Sequence, residues 1–363
     1  MVRIRVGVIG LGEVGQIIHM PILETLSDRY DITAICDVSP TLLAAMGERY
    51  RIPDDARHLD YRELVNRNDV DVVFVINSTE YHAECAIAAV EAGKHVLIEK
   101  PICLTLAEAE AIIRARDVAE VQVMVGYMRR FAPAFLEAVE HVESLDTIRY
   151  VRVRDIIGHN RLMTDQSSVV IYPQDIPDDL KRDRQDRNGQ MTRDAIGDVP
   201  PALARAYGLL AGLSSHDLSA MRELLGGPPK RVISAAQWHD GKFLTVLMDY
   251  GDFAAYLETG ADGQRRFDAH IEVYGEDRSI RVQYDTPYIR HLPTTLTIRQ
   301  EDGESHSETV VRPTYKDPYT HELEVLFDVI VNGTPVKTTV EDSIEDLRLF
   351  RDIIEAMKVT ANA

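Results

Sequence analysis

The chain is expected to fold as an α/β domain built on a doubly wound parallel sheet, followed by an α+β domain with a large, mostly antiparallel sheet. Two observations carry this expectation. Over residues 1–127, short runs rich in valine and isoleucine alternate with helical stretches. Over 230–312, β-like runs follow one another with turn signals between them and no helical period. The first texture marks parallel strands covered on both faces; the second marks an antiparallel sheet.

The strands of the first part read as 3–9, 31–36, 70–76, 95–98 and 121–126. The helices between them read as 14–30, 40–50, 61–66, 81–92 and 105–116. Thr105 followed by Glu108 predicts a capping box, and Gly93 predicts a helix stop. Beyond Arg130 the expected strands are 147–158, 231–239, 242–250, 253–259, 267–275, 279–284, 294–300 and 308–312. Asp240-Gly241 and Asp302-Gly303 supply turns between some of them. Two helices, 320–331 and 340–359, close the chain. The domain boundaries follow: 1–127 for the first domain and 128–363 for the second. Within the second, 159–205 is polar, proline-containing and poor in apolar periods. It is expected to be an irregular lid or specificity insertion.

The 363 residues carry a formal charge of −19 and are 45% apolar. A core of ordinary size can form, while the acidic surface repels nucleic acid and anionic membranes. No apolar run is long enough to span a bilayer, and the N-terminal residues lack the regions of a signal peptide. Cys36, Cys85 and Cys103 form no CxxC pair. A cytoplasmic protein without disulfides is expected. No HExxH, paired CxxC or clustered carboxylate motif is present, so no metal is implied.

The sharpest motif is Gly10-Leu11-Gly12-Glu13-Val14-Gly15, directly after one expected strand and opening an expected helix. Gly10 permits a tight turn, Gly12 lets a pyrophosphate approach the backbone, and Gly15 lets helix and strand pack closely. The helix-start N–H groups and the helix dipole then face the phosphates. Asp37 ends the second strand 22 residues past Gly15, where a carboxylate accepts from the adenosine ribose hydroxyls and repels a 2′-phosphate. The expected cofactor is NAD rather than NADP. A further strand ends in Glu99-Lys100-Pro101, so Lys100 stands at the carboxyl edge of the sheet, where α/β folds bind ligands.

With these residues in view, the sequence resembles the Gfo/Idh/MocA oxidoreductases. The pieces that carry the likeness are GLGEVG, His19-x-Pro21, Ile35-Cys36-Asp37, Tyr81-His82-Ala83-Glu84, Glu99-Lys100-Pro101 and Gly126-Tyr127-Met128-Arg129-Arg130-Phe131. Most specific is the stretch from Ala92-Gly93-Lys94-His95-Val96 through to Pro101. The resemblance continues through 216–226 to the last helices. It implies a Rossmann domain, a substrate domain, and hydride transfer between NAD and a hydroxyl or ketone of a sugar, cyclitol or related polyol. It implies that Lys100 and His216 are catalytic. It extends the cofactor surface from Gly10, Leu11, Gly12, Glu13, Val14, Gly15 and Asp37 to Asn77, Ser78, Thr79, His82, Glu99 and Lys100. Substrate contact is implied for Lys100, Tyr127, Arg129, Arg130 and His216. His216 is expected to start a helix.

The sequence departs from the family pattern beside His216. Gly212 and Ser219 stand where aspartates are frequent. Asp217 is adjacent, but Ser214-Ser215-His216-Asp217 has capping-box spacing, so Asp217 is expected to cap the helix. The large sheet is expected to leave an apolar face that a second subunit covers, giving a homodimer or homotetramer. Two other functions stay open: an NAD-recycling glycosidase or epimerase, and a dinucleotide-sensing regulatory protein without turnover.

Overall fold

The computed structural model describes residues 2–360. The chain forms two compact units. Unit 1 contains the residues up to Gly126 together with Ser168–Ala195 and Glu322–Ile344. Unit 2 contains Tyr127–Ser167, Ile196–His321 and the residues from Glu345 onward. The expected boundary at 127 is therefore crossed again by two later segments, and the contiguous domain 128–363 is corrected accordingly.

In unit 1, strands β1 (Ile4–Ile9), β2 (Tyr30–Cys36), β3 (Arg57–His58), β4 (Val72–Val75), β5 (His95–Glu99) and β6 (Val123–Gly126) form one sheet. Their order is β3-β2-β1-β4-β5-β6 and every pairing is parallel. Val6, Val8, Val73, Phe74, Leu97 and Ile98 are fully buried, as strands covered on both faces require. The helices are α1 (Met20–Thr25), preceded by wide π-type turns over Gly15–His19, then α2 (Pro40–Arg49), α3 (Tyr61–Val65), α4 (His82–Glu91) and α5 (Leu106–Ala119). The expected capping box is present: the Glu108 N–H donates to Thr105 Oγ1, and the Thr105 N–H donates to Glu108 Oε2 at 3.0 Å. Gly93 stops α4 at φ +73°. The strand order reverses between β1 and β4, which creates the crevice at the carboxyl ends of the strands.

In unit 2, strands β7 (Tyr150–Gly158), β8 (Arg231–Trp238), β9 (Phe243–Asp249), β10 (Ala254–Asp262), β11 (Phe267–Tyr274), β12 (Arg278–Tyr284), β13 (Thr295–Asp302) and β14 (Ser305–Val311) form an eight-stranded sheet. Only β7 and β10 run parallel; the other neighbours are antiparallel. One face buries Val151, Val153, Leu257, Ile271, Val282 and Leu296. Helix α6 (Pro133–Glu143) packs against this sheet.

The other face does not match the apolar surface expected from sequence. It alternates Arg152, Arg154, Glu258, Glu272 and Arg299, with Tyr256 and Tyr274. Arg152 and Arg154 both reach Glu258 at 2.9 Å, and Arg299 reaches Glu272 at 3.2 Å.

The segment 159–205 also differs from the irregular loop expected. It contains α7 (Arg161–Ser167), α8 (Asp178–Ile196) and the start of a helical run formed by α9 (Pro201–Leu209), a wide turn at Leu210–Ser214 and α10 (Ser215–Leu224). Helix α8 lacks an apolar stripe because it is held by polar contacts. Arg187 pairs with Asp183 one turn earlier and with Glu84 of α4, and Tyr81 donates to Asp183 at 2.8 Å. The chain ends with α11 (Pro318–Asn332) and α12 (Val340–Thr360). Among the described residues no helix is long and apolar enough to cross a membrane.

Candidate active site

The glycine turn after β1 has the backbone that its three glycines predict. Gly10 sits at φ +102°, and a Cβ there would lie 2.5 Å from the backbone nitrogen of Asn77. A Cβ on Gly15 would meet the Gly10 carbonyl at 2.8 Å. On Gly12 it would meet nothing within 4 Å. Two glycines thus close the turn, while the third leaves open space beside the backbone. This is the arrangement a pyrophosphate needs. Leu11 is buried, whereas Glu13 and Val14 are partly exposed on the rim.

Asp37 lies at the carboxyl end of β2, half-buried. Its Oδ2 accepts from the Leu11 N–H at 2.7 Å, and its Oδ1 accepts from the Ser39 N–H at 2.9 Å. Burial raises its pKa, and these backbone donors work against that shift. The carboxylate therefore ties the glycine turn to the start of α2. Each oxygen retains a lone pair for a ribose hydroxyl.

Asn77, Ser78 and Thr79 follow β4 and are partly exposed. His82 is buried, with Nδ1 2.9 Å from the Pro101 carbonyl and Nε2 3.0 Å from the Asn77 carbonyl. Burial lowers its pKa, against the two carbonyl contacts, which raise it. His82 is thus a bracket between two loops at the sheet edge. Glu99 is also committed inside the protein. Its Oε1 lies 2.8 Å from His19 Nε2, and its Oε2 accepts from the Lys100 N–H at 3.0 Å. Burial alone would raise its pKa, but His19 and Lys100 outweigh it and hold the carboxylate ionised. Lys100 is half-buried at the carboxyl end of β5, joined to Pro101 by a cis peptide.

In unit 2, His216 lies in the first turn of α10 and is 9% exposed. It does not open an isolated helix, since the helical run begins at Pro201 and widens to π geometry just before it. Such widened turns cluster at functional sites. Gly212 lies within that turn, and Ser219 donates to the His216 carbonyl at 3.2 Å.

The capping role expected for Asp217 is incorrect. Ser214 sits in helical backbone and makes no side-chain cap; its hydroxyl donates to Thr259 at 3.0 Å. Asp217 is instead fully buried and accepts from Arg129. The same guanidinium donates to Asp155 at 3.0 Å and lies over the Tyr284 ring. Burial pushes the Asp217 carboxyl well above the usual range, and Asp155 adds to the shift. One proton on Asp217 makes the Arg129–Asp155–Asp217 cluster neutral.

This geometry also redirects three of the residues expected to contact substrate. Arg129 and Arg130 are 3% and 5% exposed, and Arg130 pairs with Glu223. Tyr127 is 2% exposed and donates to Asp346 at 2.7 Å, a carboxylate that also accepts from Arg222 at 2.8 Å. The sequence reading missed Asp155. Its signal was present: an acid at an inward position of β7, between Val153 and Ile157.

A doubly wound sheet with this glycine turn and a lysine at the same edge defines a dinucleotide-binding oxidoreductase. Residues 4–127 match the family model described as "Oxidoreductase family, NAD-binding Rossmann fold". Myo-inositol 2-dehydrogenase of Thermotoga maritima is 28% identical over 353 residues, spanning 93% of this chain and 91% of that protein. Residues 4–127 are thus matched by the NAD-binding domain of the Gfo/Idh/MocA oxidoreductases. The fold agrees with that of an aldose-aldose oxidoreductase from Caulobacter crescentus solved with glycerol. The TM-score is 0.74 and the identity 21%, covering 99% of this chain and 98% of that one. A 3-ketoreductase from Actinomadura kijaniata, solved with NADP and TDP-benzene, gives a TM-score of 0.72 at 18% identity, over 99% and 98% of the two chains.

Proposed function

We propose that this enzyme transfers hydride between NAD and a secondary hydroxyl or ketone of a sugar, cyclitol or related polyol. The observation that carries the reading is the pairing of the glycine turn after β1 with Lys100 after β5, both at the carboxyl edge of one sheet. The relative named myo-inositol 2-dehydrogenase, alignable along nearly the whole chain, supports the substrate class.

Bound nicotinamide supplies the hydride acceptor or donor. The chain supplies the rest. The glycine turn and Asp37 hold the dinucleotide. The Lys100 ammonium donates to the substrate oxygen and stabilises negative charge there as the proton leaves. His216 is the residue proposed to take up a proton in oxidation and to return one in reduction. Glu99, itself pinned by His19, fixes the backbone from which Lys100 projects. The reading takes in a cytoplasmic homodimer or homotetramer, whose mass sedimentation would report.

The test is a panel of cyclitols and aldoses incubated with NAD and followed at the NADH absorbance. Turnover on at least one polyol is expected. Binding of neither NAD nor NADP by calorimetry would overturn the reading. Product formed without net NADH would replace it with a hydride-recycling reaction.

A further inference from the structure

The inserted segment 168–195 belongs to unit 1, and its first half crosses the loops that follow β1 and β2. Gln16, fully buried, donates to the Ile171 carbonyl at 3.0 Å and accepts from the Ile171 N–H at 2.8 Å. Four residues on, Asp175 reaches the start of α2. Its Oδ1 accepts from the Ser39 hydroxyl at 2.6 Å, and its Oδ2 accepts from the Thr41 N–H at 2.8 Å. The second half of the segment, α8, is fastened to Tyr81 and Glu84. The position of Asp175 is therefore fixed from both sides.

The donors that Asp175 occupies have a chemical meaning. The start of α2 follows Asp37 directly, so it lies beside the position where an adenosine ribose presents its 2′ oxygen. A helix start there offers orphan N–H groups and positive potential, the features that receive a 2′-phosphate. In this chain every such donor is already used. Pro40 has no N–H. The Leu42 N–H donates to Ser39 Oγ at 3.2 Å, and Thr41 N–H and the Ser39 hydroxyl go to Asp175. Ser39 is shared by both carboxylates, giving its N–H to Asp37 and its O–H to Asp175. Two negative charges thus converge on one fully buried serine.

We infer that Asp175, delivered by the inserted segment, is a determinant of cofactor choice that excludes the 2′-phosphate of NADP. The inference rests on the dinucleotide reading above. Asp37 alone would repel a 2′-phosphate; Asp175 also removes the donors that would receive it. Its own contacts keep it ionised: the hydrogen bonds from Ser39 and Thr41 hold its carboxyl down at about 2. The repulsion therefore operates throughout the neutral pH range.

Calorimetric titration with NAD and with NADP tests this on the full-length chain. Asp175→Ala is expected to tighten NADP binding at least about tenfold while changing NAD affinity by less than about threefold. Asp175→Asn, which removes the charge but keeps an acceptor, is expected to move NADP affinity in the same direction by a smaller factor, and stands in should the alanine variant not fold. NADP affinity unchanged in folded variants that still bind NAD would overturn the inference and leave the dinucleotide reading intact. A wild-type chain that binds neither nucleotide would overturn both.

Discussion

Asp217, the residue after His216, is turned into the core of unit 2 and bonded to Arg129. A carboxylate adjacent to a histidine proposed as acid/base invites a catalytic role, but here it serves a buried charge cluster. Its neighbours set the energetics. Arg129 faces two carboxylates, and burial favours the protonated form of Asp217. Removing the guanidinium leaves two acids with no counter-charge, which typically costs about 3–5 kcal/mol. Replacing the Asp217 carboxyl by an amide preserves neutrality and shape. Arg129→Met is therefore expected to lower unfolding stability by about 3–5 kcal/mol in urea titration, and Asp217→Asn by about 1 kcal/mol or less. Equal losses in the two variants would mean that Asp217 is ionised in the folded state.

His82 gives a pH dependence with a definite sign. Its folded pKa is depressed below the usual 6.5 by burial. The unfolded chain therefore binds a proton that the folded chain refuses, and stability rises with pH in that interval. The contribution is fully present above about pH 6.5 and is lost as the pH falls toward the folded value. His82→Asn is expected to remove up to about 1.4 kcal/mol per pH unit from the slope between pH 6.5 and 5. Stability curves of equal slope for the two proteins would show that His82 titrates normally.

The glycines of the β1 turn should separate folding from binding. Gly10→Ala places a Cβ against the Asn77 backbone at positive φ and is expected to cost about 1–3 kcal/mol of stability, read as a lower thermal midpoint. Gly12→Ala meets nothing in the protein, so its midpoint should stay at the wild-type value while NAD affinity falls at least about tenfold. Normal NAD binding by the Gly12 variant would move the pyrophosphate elsewhere.

Lys100→Ala is expected to keep NAD affinity within about threefold and to lose at least about 100-fold in kcat. His216→Ala should show a loss of similar size. Full turnover in either variant would remove that residue from the chemistry.

Much of this molecule was legible in the linear sequence because the forces concerned are local or periodic. Runs such as Val72–Val75 declare a strand covered on both faces, and Thr105 with Glu108 declares a helix start. Gly10 and Gly15 were readable because only a missing Cβ fits their turn. The alternation of β7 separates its two faces, and it carried the signal of Asp155 as well.

Tertiary structure alone decided the rest. Tyr127, Arg129 and Arg130 looked like edge residues from their place after β6. Each is drawn inward by an acid distant in sequence: Asp346, Asp155 with Asp217, and Glu223. Helix α8 has no apolar stripe to announce it, because its stability comes from docking against α4 and its loop. The partnership of Asp175 with Ser39 spans 136 positions and follows no period. Sequence fixes what each residue can do through its backbone freedom, charge and polarity. Which distant groups meet, and so which charges are neutralised and which donors are already spent, is set only when the chain closes on itself.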